Sequence, residues 1–212
     1  MHEIGHDLVH AFVHVDRSFL SLFRLLLARP GHVAREYVAG KRKRYFGPFT
    51  FLVVIVGFAS AFVAIFGLRV VYTNTPNPTA DFLQHHINLV YLLQVPMLAA
   101  VCRVMFRRDG FNYAENLVLA AYTASMRVIV LALIAAPVLT VMHLSFATAV
   151  KVTYANSLVW LAYFGMAASQ FYSGHRAVSW LKGALAAGLT FAVTQGLTTL
   201  VGVVYELIAG HH

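Results

Sequence analysis

Residues 41–68 read KRKRYFGPFTFLVVIVGFASAFVAIFGL, so that a dense basic run stands directly before a long apolar stretch without charge. The stretch from Phe49 to Leu68 is long enough to cross a bilayer as a helix, which takes about 20 apolar residues. The basic run, Lys41, Arg42, Lys43 and Arg44, predicts which end stays in the cytoplasm, because cytoplasmic connectors are enriched in Lys and Arg. Together the two features predict an integral membrane protein.

The composition agrees with this prediction. Hydrophobic residues make up 59% of the 212 residues and charged residues only 11%, against about 25% charged residues in a typical soluble domain. The net charge of +8 lies in short connectors beside apolar runs, which favours anionic lipid headgroups as partners and excludes a nucleic-acid binder. The single cysteine, Cys102, excludes an internal disulfide and a cysteine-rich zinc ribbon. We expect no cofactor.

The fold class predicted is all-α, a polytopic bundle of about five spanning helices, because lipid offers backbone groups no hydrogen-bond partner. The spans cover approximately residues 48–68, 87–105, 115–141, 145–172 and 177–208. Pro96 and Pro137 fall inside two of them and predict kinks. These spans form a predicted transmembrane domain, residues 47–212.

The distribution of Lys and Arg predicts the orientation of the spans. Eight of these residues precede the first span, and the richer connectors alternate with poorer ones at every later crossing. This alternation places the N-terminus in the cytoplasm and the C-terminus outside. Residues 1–46 form a separate cytoplasmic segment whose short helices, up to Ala28 and from Pro30 to about Gly40, are expected to lie in the membrane interface with their apolar faces down.

Several motifs resemble the opening signature of an uncharacterised membrane family, the domain-of-unknown-function family 3667. The motifs are His14-Val-Asp16, Leu25-Leu-Leu-Ala-Arg-Pro30-Gly31, Arg35-Glu36-Tyr37 and Gly40-Lys-Arg-Lys-Arg-Tyr-Phe-Gly-Pro48-Phe49, with a later patch, Asn112-Tyr-Ala-Glu115-Asn116-Leu-Val118. The family pattern usually has His in place of Asn116, and many relatives carry an N-terminal zinc ribbon that this sequence lacks. The resemblance implies a bacterial inner-membrane protein and no known activity.

A histidine motif at the N-terminus suggests metal binding. His2, Glu3 and His6 match H-E-x-x-H, in which two histidines clasp zinc and the glutamate activates water. His10 and His14 continue the same spacing. A terminal helix frays easily, and no third protease ligand is evident. The weak metal-ligand candidates are therefore His2, His6 and His10, against the simpler interpretation of a solvated or headgroup-facing helix.

Arg127 is the best single indication of function, because it lies in the middle of the third predicted span. A cation there is costly and should face the bundle interior or a water-filled cavity. It either serves a transport or lipid site, or it only stabilises the bundle or snorkels. The polar residues considered as its partners are Tyr122, Thr123, Ser125, Tyr154, Asn156, Gln170 and Gln195.

The sequence contains two further candidate sites. Glu115 and Asn116 open the third span as intramembrane polar candidates. In the simpler interpretation, the helix dipole favours an acid in the first turn, and Asn112 and Asn116 only cap and solvate the helix. The basic run from Lys41 to Arg44 either anchors the first span or forms a defined site for an anionic lipid or phosphate. The functional hypothesis is a transport or permease-like component. The alternative is a non-catalytic scaffold that binds anionic lipid or a partner protein, and a membrane-embedded metalloenzyme ranks last. Small residues such as Gly165 and Gly183 predict packing of the fourth span on the fifth, or self-association.

Overall fold

The computed structural model describes residues 19–68, 78–141 and 146–209, and all regular structure in these ranges is helical. The long elements are α1 (Phe19–Ala28), α2 (Pro30–Val38), α3 (Pro48–Ile65), α4 (Pro78–Met105), α5 (Tyr113–Val130), α6 (Ala136–Val141), α7 (Phe146–Phe171) and α8 (Arg176–Ala209). Short 3₁₀ turns cover Arg42–Arg44 and Arg107–Asp109, and a π-helical segment, Leu131–Ala135, joins α5 to α6. The all-α prediction is confirmed.

Three helical segments of the described ranges are long and apolar enough to cross a membrane: Arg42–Ile65, Tyr113–Thr140 and Arg176–Gly202. In α4, the apolar stretch within the described side chains is Leu89–Met105, and the sequence of the first turns contains Asp81, Gln84 and two histidines. The sequence of α7 contains Lys151, Asn156 and Gln170. On this criterion, three helices of the described ranges qualify as spans, against the five predicted. α7 begins and ends within one residue of the predicted bounds, and α4 ends at the predicted residue but begins nine residues earlier.

The core of the molecule is organised around α5. Every residue from Val118 to Val128 is buried, and a helix buried on all sides needs neighbours around it. α3 and α4 pack on α5, α8 packs on α4, and α7 packs along α8. The close contact of α7 with α8 was predicted from their small residues. A Cβ added at Gly165 would lie 2.9 Å from the Trp180 carbonyl oxygen, and one at Gly183 would collide with Ala168.

The N-terminal helices pack onto this bundle. α2 contacts both α5 and α7 and so lies between them. α2 comes close to α7 at Gly31, whose N–H donates to Gln170 Oε1 at 3.2 Å, and where an added Cβ would collide with the Ala167 carbonyl oxygen. The Tyr163 hydroxyl donates to the carbonyl of Leu26 at 2.8 Å.

This packing differs from the expectation that the apolar faces of α1 and α2 lie on the membrane interface. Four apolar residues face the bundle core: Leu22, Leu26, Val33 and Ala34. Others in α1, namely Leu20, Leu25 and Leu27, are exposed. α1 is apolar on more than one side, so it can pack against helices and still present an apolar surface. The division at residue 46 stays a prediction.

The segment that joins α5 to α6 is π-helical and ends shortly before a proline. In a regular helix, the ring of Pro137 would clash with the carbonyl four residues earlier, at Leu133. The wider π-helical turn Leu131–Ala135 immediately precedes Pro137, and such segments accommodate local strain and are frequent at functional sites. The kink predicted from Pro137 thus takes the form of a π segment. This segment lines a cavity beside Arg127.

Candidate functional site

Arg127 lies in the last turn of α5 and is buried, with 9% of its surface exposed. Its Nη1 donates a hydrogen bond of 2.6 Å to Oε1 of Gln94, on α4. Its Nε is buried and has no hydrogen-bond partner among the described residues. A buried cation without an opposite charge is costly, so its other neighbours must compensate for part of the lost hydration.

Three aromatic rings from three other helices surround the guanidinium group. Its Cζ lies 5.4 Å from the ring centroid of Tyr91, 5.2 Å from that of Trp160 and 5.6 Å from that of Phe191. Each such cation–π contact contributes roughly 0.5–2 kcal/mol, more when it is shielded from water. The rings belong to α4, α7 and α8, so all of these helices converge on the one cation.

A cavity of about 540 Å³ lies beside Arg127. Its wall divides into two kinds of surface. The polar part includes Gln94, Arg127, Tyr154, Asn156, Gln195 and Thr198. The apolar part includes Val90, Leu131, Ala135, Leu139, Val150 and Ala192. The π segment supplies Leu131 and Ala135, so the altered winding before Pro137 shapes one side of the cavity.

The predicted partners of Arg127 separate into two groups. Four have other bonds: the hydroxyl of Tyr122 donates to the Phe46 carbonyl, those of Thr123 and Ser125 donate within α5, and Gln170 accepts from Gly31. The other three, Tyr154, Asn156 and Gln195, line the same cavity as Arg127. The sequence identified these groups but not their arrangement.

The cavity and the basic run lie towards opposite ends of the bundle. The cavity is lined by the last part of α5, by α6, by the first half of α7 and by the second half of α8. The turns at residues 106–112 and 172–175 lie at the other end, where α2 fills the space between α5 and α7. α2 therefore closes the bundle at the basic end, while the cavity occupies the other end.

Asn116 and Glu115 strengthen that closed end. Asn112 caps α5 by accepting from the N–H of Glu115 at 2.9 Å, and the Glu115 carboxylate accepts from the N–H of Asn112 at 2.7 Å. Asn116 is buried, donates to the Asn112 carbonyl and accepts from the hydroxyl of Tyr172. The geometry gives Glu115 the role of a helix cap and makes Asn116 a link between α5 and the end of α7.

The basic run forms an exposed turn, and Glu36 forms ion pairs with two of its cations. The Glu36 carboxylate accepts from Lys41 Nζ at 2.7 Å and from the Tyr45 hydroxyl, and Arg44 Nη1 lies 3.5 Å away. The hydrogen bond from Lys41 and the other contacts lower the pKa of Glu36 from 4.5 to about 2. Arg42 stacks over Tyr37, and Lys43 is exposed. The turn can therefore offer Arg42 and Lys43 to an anion.

The candidate metal ligands lie outside the residues that the structure describes. His2, His6 and His10 belong to residues 1–18, which the structure does not describe. Within residues 19–68, 78–141 and 146–209, no group of three or more His, Cys, Asp or Glu side chains could hold a metal ion. Cys102 is buried, as expected for a small apolar residue.

Sequence reasoning did not identify Gln94, Tyr91, Trp160 or Phe191 as neighbours of Arg127. Gln94 had a usable signal, because it is a polar residue in an otherwise apolar stretch two positions before Pro96. The three aromatic residues had none, since aromatic side chains are common in apolar helices and at membrane interfaces.

The comparisons concern the N-terminal part of the chain. Residues 16–59 match the model of a family described as a protein of unknown function (DUF3667). Among curated proteins and solved structures, none matches the chain. The matched segment includes Gly31, Glu36 and the basic run, but no residue of the Arg127 cavity. The match over residues 16–59 confirms the resemblance to this family of unknown function that the opening motifs predicted.

Proposed function

We propose that this protein is an integral membrane protein with five spanning helices and that it acts as a transport or permease-like component. The N-terminus and the basic end lie in the cytoplasm in this proposal, and the C-terminus lies outside. In a bacterium, as the sequence resemblance implies, the membrane would be the inner one. The antiparallel helices bring almost all exposed cations of the described ranges to one end, and Lys151 lies apart from them.

The observation that carries the transport proposal is Arg127 beside the cavity. Intramembrane charges are rare and commonly mark ligand or ion pathways. Arg127 is buried, has a neutral partner in Gln94 and lines a cavity of about 540 Å³. A volume in the range of about 300–1,000 Å³ is typical of small-molecule sites. A cation needed only to tie helices together would not require such a cavity.

The topology is tested with compartment-sensitive reporters fused in turn to the two chain ends. We expect a cytoplasmic signal from the N-terminal fusion and an external signal from the C-terminal fusion. An even number of crossings would place both reporters on the same side and would contradict the five-span proposal.

Transport is tested by reconstitution into liposomes loaded with labelled phosphate, acetate or dodecyl phosphate. We expect protein-dependent release of at least one of these anions, with release lost in Arg127→Met. The matched control is Lys151→Gln, which removes an exposed cation of α7 outside the cavity wall. Release of all three at the rate of protein-free liposomes, or equal release by Arg127→Met, would contradict a transport role for this residue.

A second function is favoured by the exposed basic turn. Lys41, Arg42, Lys43 and Arg44 are exposed and lie at the same end as α1 and α2. Each Lys or Arg near an anionic surface contributes about 1 kcal/mol. The protein would then act as a scaffold that gathers anionic lipid, or a partner protein, at its cytoplasmic end. If substitution of these four residues by Gln removed the enrichment of anionic lipid and left the release of anions from liposomes unchanged, this function would be favoured.

A further inference from the structure

The charge of Arg127 is not neutralised by the part of the protein that the structure describes. The ion pairs found in the described ranges join Glu36 to Lys41 and Arg44. Arg127 instead has an amide partner and three aromatic neighbours. Neither an amide nor a ring supplies a formal negative charge, so a bound anion would be attracted by a cation that no described carboxylate neutralises.

The geometry of the guanidinium group narrows the chemistry of that anion. Its N–H donors lie in one plane and suit the paired oxygens of a carboxylate or phosphate. Nη1 is occupied by Gln94, and the buried Nε has no partner among the described residues. An oxyanion that accepts from the remaining donors would complete this arrangement.

The wall of the cavity adds a second requirement. Beyond Arg127, the π segment and α6 contribute Leu131, Ala135 and Leu139, and α7 contributes Val150. A small hydrated anion would leave this apolar surface without a matching partner, whereas an alkyl chain would cover it. Burial of apolar surface stabilises a complex by about 25 cal/mol per Å² in simple transfer terms.

The cavity also reaches the surface of the bundle. Tyr154 lines it and is 64% exposed, and Gln195 lines it and is exposed as well. These side chains place a polar edge where a ligand would enter. The opposite end is closed by α2 and by the bond between Asn116 and Tyr172.

From these observations we infer that the cavity binds an anionic amphiphile, with a carboxylate or phosphate group at Arg127 and an apolar chain along Leu131, Ala135, Leu139 and Val150. The inference rests on the proposed function, since it names the ligand class of the same cavity. The ligand enters at the end opposite to the basic run.

The test uses a fluorescence signal that arises inside the site. The chain has two tryptophans, Trp160 and Trp180, so Trp180→Phe leaves Trp160, next to Arg127, as the only indole. The full-length protein is held in alkyl maltoside micelles, which contain no phosphate or carboxylate. The probe is 2-bromododecanoate, whose bromine lies beside its carboxylate and quenches a nearby indole. Dodecyl phosphate, dodecyltrimethylammonium, acetate and inorganic phosphate are the competitors.

We expect saturable quenching that dodecyl phosphate reverses and dodecyltrimethylammonium does not. Arg127→Met should weaken binding by about tenfold or more, the usual effect of losing hydrogen bonds to a charged group, whereas Lys151→Gln should leave it unchanged. Arg127→Lys keeps the charge and should retain part of the affinity. If Arg127→Met does not fold, Arg127→Lys and the competitor series on the parent protein decide the question.

Displacement of the probe by the cationic amphiphile, or equal binding to Arg127→Met, would overturn the inference. Displacement by acetate or inorganic phosphate at the concentrations at which dodecyl phosphate acts would show a free-anion site and would overturn the role of the chain. Arg127-dependent binding without release from liposomes would contradict the transport proposal and leave this inference standing. Release from liposomes without such binding would overturn this inference and leave the transport proposal standing.

Discussion

Arg127 and Gln94 lie 33 positions apart in the chain, and a hydrogen bond of 2.6 Å joins the guanidinium group to the side-chain carbonyl. The bond ties α5 to α4 in the interior of the bundle. It also satisfies one donor of a buried cation without neutralising it, because an amide is uncharged. The arrangement holds the arginine in place and keeps its charge available to a ligand.

The first prediction concerns this bond. Gln94→Leu should destabilise the protein by roughly 1.5–3 kcal/mol, because it leaves a charged donor buried without its acceptor. The midpoint of thermal unfolding in detergent measures the effect. Gln195→Leu is the matched control, since its side chain is exposed on the same cavity wall. Equal midpoints for the two variants would show that the Gln94 bond contributes little.

The second prediction concerns the contact between α2 and α7. Gly31→Val should displace α2, because the new side chain would meet the Ala167 carbonyl and Gln170 Cβ, and overpacking of this kind costs about 1–3 kcal/mol or more. Limited proteolysis in α1 and α2 measures the displacement. Gly57→Ala, where an added Cβ meets nothing within 4 Å, should show the parent pattern. If the Gly31→Val protein resisted proteolysis as well as the parent does, the tight packing of α2 against α7 at Gly31 would be refuted.

The third prediction concerns the link at the closed end. Tyr172→Phe removes the hydroxyl that donates to Asn116 Oδ1 and leaves a buried amide oxygen without that partner. We expect a loss of about 1–2 kcal/mol, close to the usual cost of an unsatisfied buried group. Tyr154→Phe changes an exposed tyrosine and serves as the comparison in the same thermal assay. No difference between these variants would mean that the hydroxyl of Tyr172 does not contribute to stability.

The fourth prediction concerns pH. The pKa of Glu36 is about 2 in the folded protein, against 4.5 ordinarily, chiefly through the hydrogen bond from Lys41. Because the folded-state pKa is the lower one, the stabilisation is present above pH 4.5 and is lost as the pH falls through about 2. Glu36→Gln should therefore melt below the parent at neutral pH, and the two should converge near pH 2. A gap between their melting points that stays constant with pH would contradict this assignment.

The fifth prediction concerns the exposed cations of the basic turn. The double variant Arg42→Gln with Lys43→Gln should lose enrichment of phosphatidylglycerol over phosphatidylethanolamine among co-purified lipids, which mass spectrometry measures. Two charges at about 1 kcal/mol each change the partitioning of anionic lipid to this turn by roughly 30-fold. Lys151→Gln should have no such effect, because Lys151 lies away from this cluster. Unchanged lipid ratios in the double variant would remove the support for a lipid site at these residues.

The sequence by itself determined the helical class, the approximate bounds of the helical segments from α3 to α8 apart from the start of α4, and the unusual position of Arg127. These follow from local patterns, because a bilayer demands long apolar segments and confines charge to their ends. The sequence also indicated the cap at Asn112, because capping depends on residues only three positions apart. The sequence predicted five spans, whereas three helices of the described ranges are long and apolar enough to cross a membrane.

Only the tertiary structure decided which groups meet. Gln94, Tyr91, Trp160 and Phe191 converge on Arg127 from three helices, and no local pattern fixes such distant pairings. The same holds for α2, which packs between α5 and α7 because Gly31 lacks a side chain that would collide there. Amphipathic patterning shows that a helix has an apolar face, but the surface that covers this face depends on the shapes of the neighbouring helices, which form only when the chain folds.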